Sequence, residues 1–258
     1  AALLTFVPLL FLIGYILIKG IPYLTPELFA WEYNSENVSM MPAIISTLIM
    51  TVLSLLIAAP LGIFAAIYLV EYAKRGNKVV EVIRLAAETL SGIPSIVYGL
   101  FGMLFFVTAL QWKNSILAGS CTLAIMVLPL IIRSTEEALK SVPDSYREAS
   151  FGLGAGKLRT VVRVVLPPAM PGIVAGVILA VGRIVGETAA LIYTAGTVAK
   201  ITANPMESAR TLAVHMYALS SEGLHTSEAF ATGVVLLLVV LMLNATSNAI
   251  AKRITKGK

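Results

Sequence analysis

The chain has 258 residues, 58% of them hydrophobic and only 13% charged, with a mean hydropathy of +0.89 and a formal net charge of +5. A soluble domain carries about a quarter charged residues, so the composition excludes a soluble protein and leaves a polytopic membrane protein. The single cysteine, Cys121, excludes an intrachain disulfide.

About twenty apolar residues cross a bilayer as a helix, and six stretches meet or approach that length: 2–19, 41–70, 86–110, 116–133, 168–198 and 229–251. The expected fold is all-α, one transmembrane domain over 1–258 with six transmembrane helices in membrane lipid. The first stretch begins at Ala1, with no charged segment before it and no small-residue cleavage site after it, and is read as a truncated span rather than a signal peptide. The second and fifth are long enough to tilt.

Basic residues beside span ends stay on the cytoplasmic side. Lys74, Arg75, Lys78 and Arg84 follow the second span; Arg133, Lys140, Arg147, Lys157, Arg159 and Arg163 follow the fourth; Lys252, Arg253, Lys256 and Lys258 form the tail. Fourteen of the 19 basic residues thus fall on one face, against Lys19, Lys113, Lys200 and Arg210 on the other. Both termini and the loop at about 134–167 are expected in the cytoplasm, and the net charge then needs no nucleic-acid partner.

That loop has its own pattern. Pro143 and Asp144 can open a helix, Tyr146, Ala149, Ser150 and Leu153 recur along one face, and Gly154 and Gly156 can end it. A second helical stretch over 157–165 leads to Pro167, Pro168 and Pro171, which mark the start of the next span. Gly154-Ala155-Gly156-Lys157 is not a phosphate-cradling loop, because Leu158 stands where that motif needs Ser or Thr and no strand precedes it.

The spacing of Glu148, Ala149, Ser150, Gly154, Val164, Leu166 and Pro167 resembles the EAA loop of bacterial ABC-importer permeases, with Ser150 for Ala and Val164 for Ile. The resemblance implies a type I, MetI-like architecture in which this loop is a coupling helix docked on an ATP-binding subunit. Carried over, Glu148, Ala149, Ser150, Gly154, Leu166 and Pro167 are the coupling residues. ATP and Mg would be bound by that partner and no cofactor by this chain.

The fifth span carries Gly182-Arg183-Ile184-Val185-Gly186-Glu187-Thr188. Charges inside a membrane face a cavity or one another, and Arg183 and Glu187, four apart, are expected on one helical face. A guanidinium fork suits a tetrahedral oxyanion. Arg183, Glu187 and Thr188 are therefore the candidate substrate path, with Arg183 touching the anion and Glu187 as its exchangeable partner. Gly172, Gly176, Gly182 and Gly186 form two stripes of small residues that favour close helix packing.

Together with Ser91-Gly92-Ile93-Pro94-Ser95-Ile96-Val97-Tyr98-Gly99-Leu100-Phe101-Gly102, this segment is similar to phosphate-importer permeases of the PstA type, more than to the related PstC type. That resemblance implies a multi-pass subunit of the bacterial plasma (inner) membrane. Its partners would be a PstC-like second permease, a PstB-like ATPase dimer and a PstS-like extracytoplasmic phosphate-binding protein. Sulfate or molybdate is the alternative cargo. No catalytic constellation is present: His215 and His225 lie outside the spans and lack partners at metal-ligand spacing.

Overall fold

The computed structural model describes residues 2–74 and 76–256, with side chains over 6–74 and 76–249. Arg75 and Lys258, counted in the charge bias, lie outside the described residues, as do the side chains of Lys252, Arg253 and Lys256. Eleven α-helices run in chain order among the described residues: α1 (Ala2–Gly20), α2 (Met41–Ile67), α3 (Lys78–Ser91), α4 (Ser95–Gly102), α5 (Ile116–Lys140), α6 (Asp144–Gly152), α7 (Lys157–Thr160), α8 (Leu166–Val185), α9 (Ala189–Thr194), α10 (Leu212–Glu222) and α11 (Thr226–Lys256). Wide π turns continue α2 over Tyr68–Tyr72, follow α4 over Met103–Ala109, and join α7 to α8 over Val161–Val165.

Five helical stretches are long and apolar enough to cross a membrane: Phe6–Tyr23, Met41–Tyr72, Ile116–Lys140, Lys157–Val185 and Thr226–Ala249. The expected third span, 86–110, differs. Its helix begins at Lys78, where the Asn77 side chain accepts from the Val79 amide, ends at Ser91 and is broken before a new helix starts at Ser95. Pro94 lies in the break, where it has no amide to continue the helical ladder. The pair counts as a sixth span only if its two arms are taken together. The fifth span also moves. Residues 157–165 are its first turns rather than a separate segment, and it ends at Val185, not near 198.

The chain divides into two compact units. Unit 1 holds Ala1–Leu53, Ser95–Thr122 and Val185–Met242; unit 2 holds Ser54–Pro94, Leu123–Ile184 and Leu243–Lys258. In unit 1, Leu28, Val38, Met40, Leu212 and Leu219 form a buried apolar cluster. In unit 2, Leu139, Val142, Val165, Ala169 and Ile173 form another, joining the end of α5 to the start of α8.

Glycines set the closest approaches. A Cβ at Gly172 would lie 2.7 Å from the Ala138 Cβ, and one at Gly176 would collide with the Ser134 side chain, so α8 lies directly against α5 in unit 2. In unit 1 a Cβ at Gly99 would stand 2.7 Å from the Ala190 Cα, so α4 rests on α9. The Ser91–Gly102 motif and the segment after Glu187 thus meet in space. Gly182 has open space around its Cβ position, and Gly186 lies beyond the end of α8. Among the described residues, the second pair of glycines does not continue as one stripe along a single helix.

Candidate functional site

The loop at 134–167 folds as α6, α7 and the π turn into α8. Helix α6 starts after Pro143 and ends in a left-handed cap. Gly154 has φ +82°, its amide donates to Phe151 O, and the Ala155 amide donates to Ser150 O. This closure needs a residue free to adopt positive φ.

The face the spacing picked out is divided: of Tyr146, Ala149, Ser150 and Leu153, only Ser150 turns inward. Tyr146, Glu148, Ala149 and Leu153 are exposed, Leu153 at 90%, whereas Ser150 and the Arg147 side chain are buried. Ser150 Oγ and Thr160 Oγ1 share a hydrogen bond of 2.8 Å, tying α6 to α7. The Arg147 side chain is 13% exposed and contacts its surroundings through all three nitrogens. Nη2 and Nε donate to Glu71 Oε1 at 2.7 and 3.1 Å, Nη2 to Leu139 O at 2.9 Å, and Nη1 to Val142 O at 2.7 Å. Glu71 lies in the π turn after α2 and is 7% exposed. Lys157 Nζ sits 5.2 Å from the ring centroid of Tyr72 in the same turn. Helix α6 is therefore fixed to the ends of α2 and α5 and to the start of the span containing α8.

Around this clamp lies a cavity of about 530 Å³ lined by Glu71, Lys74, Arg84, Lys140, Arg147 and Lys157. Its basic groups are largely paired. Glu136, buried in α5, accepts from Lys140 at 2.7 Å and Arg84 at 3.3 Å, and Arg84 reaches Leu69 O at 3.4 Å. Leu166 packs against the apolar cluster of unit 2, with half-buried Pro167 beside it.

The second candidate cluster is not a single helical face. Helix α8 ends at Val185, so Arg183 and Glu187 do not occupy successive turns of one helix. Half-buried Arg183 is in the last turn of α8, where a cation complements the helix dipole, and it makes no ion pair with a described carboxylate of unit 2. Glu187, 8% exposed, belongs to unit 1, where its Oε1 accepts from the Ala190 amide at 3.0 Å and caps α9. Thr188 O accepts from Leu191 and Ile192. Thr188 also lines a cavity of about 550 Å³ in unit 1 with Met216, Tyr217, Ser220 and Phe230.

Sequence reasoning missed four residues. In the sequence Arg147 is one more topology charge and Glu71 belongs to no motif; their only signal is an acid at the end of an apolar span beside a basic loop. Arg210 and His215, assigned to an external loop, are buried at the start of α10. No pattern in their spacing announces that burial.

Residues 58–257 match the family described as the inner membrane component of binding-protein-dependent transport systems. The chain belongs to this family. It is a multi-pass permease subunit of an ABC transporter, not itself an enzyme. It is 35% identical over 263 residues to a probable ABC transporter permease, YqgI of Bacillus subtilis, covering 95% of this chain and 89% of that protein. It is 36% identical to the phosphate transport system permease PstA of Mycobacterium leprae (75% of this chain, 65% of that one). It is 40% identical to PstA 1 of Mycobacterium tuberculosis (60% and 50%). The chain thus spans between half and two thirds of those two PstA proteins. Among solved structures, the alginate ABC transporter with its periplasmic protein superimposes with a TM-score of 0.66 at 19% identity, covering 98% of this chain and 95% of that one. The inward-facing MetNI methionine transporter gives 0.65 at 20%, covering 84% and 94%. At such identity these two show the shared fold alone.

Proposed function

We propose that this permease forms the translocation path of an ATP-driven importer of inorganic phosphate. It does so with a PstC-like companion permease, a PstB-like ATPase dimer and a PstS-like extracytoplasmic binding protein. The phosphate assignment is supported by the PstA relatives at 36–40% identity. The coupling assignment is carried by one observation: α6 presents Tyr146, Glu148, Ala149 and Leu153 outward while Arg147 and Ser150 anchor it to three spans. An exposed apolar and acidic helix face on a rigid mount is what a docking ATPase subunit requires. The bias of basic residues supports a cytoplasmic position for this face and for both termini.

Closure of the ATPase pair on ATP would push α6, and α6 would move the spans it is tied to. Arg183, with no carboxylate partner in its own unit, is free to give its fork to the anion. Glu187 acts by holding the backbone at the start of α9, and Thr188 lines the adjacent cavity.

The test is reconstitution of the complete transporter in proteoliposomes. ATPase activity and uptake should rise with phosphate-loaded binding protein and stay at the basal rate with sulfate- or molybdate-loaded proteins. Stimulation by either of the latter instead would replace the cargo. Repeated purification of the permease without a nucleotide-binding partner would overturn the coupling reading.

A further inference from the structure

Unit 1 buries a permanent positive charge without a counter-charge. Arg210 is 6% exposed, and its Nε and Nη2, which form one edge of the guanidinium, have no hydrogen-bond partner. Its Cζ lies 4.5 Å from the ring centroid of Tyr33. A ring face offsets only part of what a guanidinium loses on leaving water. Among the described residues, no carboxylate forms an ion pair with Arg210.

His215 shares this environment. It is fully buried, neither ring nitrogen is hydrogen-bonded, and its ring stands edge-on to Tyr33 with centroids 6.2 Å apart. Burial first, and the Arg210 charge second, push its pKa down to about 3; the Val38 carbonyl pulls weakly the other way without reaching hydrogen-bond geometry. The imidazole is therefore neutral at physiological pH, with one nitrogen a donor and the other an acceptor.

Tyr33, against which both side chains lie, packs on the apolar cluster of this unit. Leu28, Val38, Met40 and Leu212 belong to the buried cluster of this unit. Three of the first amides of α10 are already engaged, Leu212 N with Thr47 Oγ1, Val214 N with Thr211 Oγ1 and His215 N with Thr211 O. The unmet capacity thus resides in the two side chains rather than in the helix end. Buried charges in folded proteins are paired, and a water-excluded site strengthens whatever ion pair completes it.

We propose that Arg210 and His215 form an oxyanion site, separate from Arg183, that takes a protonated tetrahedral oxyanion, hydrogen phosphate or its arsenate analogue, in preference to sulfate. The Nε/Nη2 edge gives two parallel hydrogen bonds to two anion oxygens. The imidazole acceptor then needs a hydroxyl on the anion. Hydrogen phosphate carries one, whereas sulfate has none to give and leaves the acceptor nitrogen unsatisfied. The choice of ligand rests on the phosphate reading above; the position and unpaired state of the two side chains do not.

The assembled transporter, purified in lipid nanodiscs without its binding protein, is titrated with radiolabelled phosphate, using arsenate and sulfate as competitors. The native chain and Arg210→Gln, Arg210→Lys and His215→Asn are compared, all in an Arg183→Gln background. Arg210→Gln should weaken phosphate binding by about tenfold or more, the loss expected for two charge-assisted hydrogen bonds. Arg210→Lys, with charge but no fork, should fall between, and His215→Asn should narrow the preference for phosphate over sulfate.

Phosphate binding unchanged by Arg210→Gln, or absent from a chain whose reconstituted transporter takes up phosphate, overturns the proposal. If Arg210→Gln fails to assemble, an unaltered phosphate-to-sulfate ratio in His215→Asn overturns it instead. A native transporter that moves sulfate and not phosphate sinks the cargo assignment. Sulfate bound through Arg210 in that case overturns the selectivity proposed here.

Discussion

The Arg147 guanidinium donates to Glu71 Oε1 through both Nη2 and Nε, at 2.7 and 3.1 Å, across 76 residues of sequence. Both side chains are nearly buried. Removing one partner of such a pair strands the other charge and costs about 3–5 kcal/mol. Arg147→Ala and Glu71→Gln should each destabilise the purified transporter by that amount, read as a lower thermal midpoint. The charge-exchanged pair, Glu71→Arg with Arg147→Glu, should recover part of it. In vesicles, variants that still assemble should hydrolyse ATP with reduced phosphate moved per ATP. An unchanged coupling ratio would confine the clamp to stability.

Gly176→Val should separate α8 from α5. The added branch meets the Ser134 side chain, and overpacking costs about 1–3 kcal/mol. Gly182→Val meets open space within the chain and should leave the melting temperature of the isolated subunit unchanged. Differential scanning of the two variants checks the contrast.

Arg183 and Glu187 should separate by phenotype. Arg183→Gln should cut phosphate uptake about tenfold or more at unchanged protein level, since a charge-assisted hydrogen bond is lost. Glu187→Ala should mainly destabilise, by about 1–3 kcal/mol, because the Ala190 amide loses its acceptor. Glu187→Gln keeps an acceptor there and should retain most of that stability. Uptake kinetics beside melting curves distinguish the two roles.

His215 makes stability depend on acid. Its folded pKa of about 3 lies below the ordinary histidine value. The unfolded chain therefore binds the extra proton first as pH falls. The stabilisation is complete above about pH 6.5 and is lost progressively toward pH 3, at up to about 1.4 kcal/mol per pH unit. Melting temperatures of the native transporter should drop between pH 7 and 5 more steeply than those of His215→Leu.

The spans and the loop were legible because both are written in local pattern. Apolar runs of membrane length need no partner to be recognised, and the Glu148 to Pro167 spacing places a helix, a left-handed glycine and a helix start in order. The inward face of α6 was not legible. It is set by Glu71 and Thr160, outside the helix, and of the residues spaced along one face only Ser150 lies on it. The break after Val185 was equally hidden. Gly186 reads as one more small residue in a stripe, although α8 stops at Val185 and α9 starts only at Ala189. Arg210 and His215 read as loop residues because their burial comes from Tyr33 and Val38, some 180 positions away.

The π turn over Val161–Val165 sits between Thr160, which α6 holds, and α8, whose last turn carries Arg183. A π turn interrupts the regular ladder and is the softest place in such a rod to change direction. With 20 residues, α8 is about 30 Å long. A swing of about 10° at its base would sweep the opposite tip sideways by about 5 Å, roughly one helical pitch. Geometry of this kind magnifies a slight nudge at the handle into a much larger displacement of the end that carries Arg183.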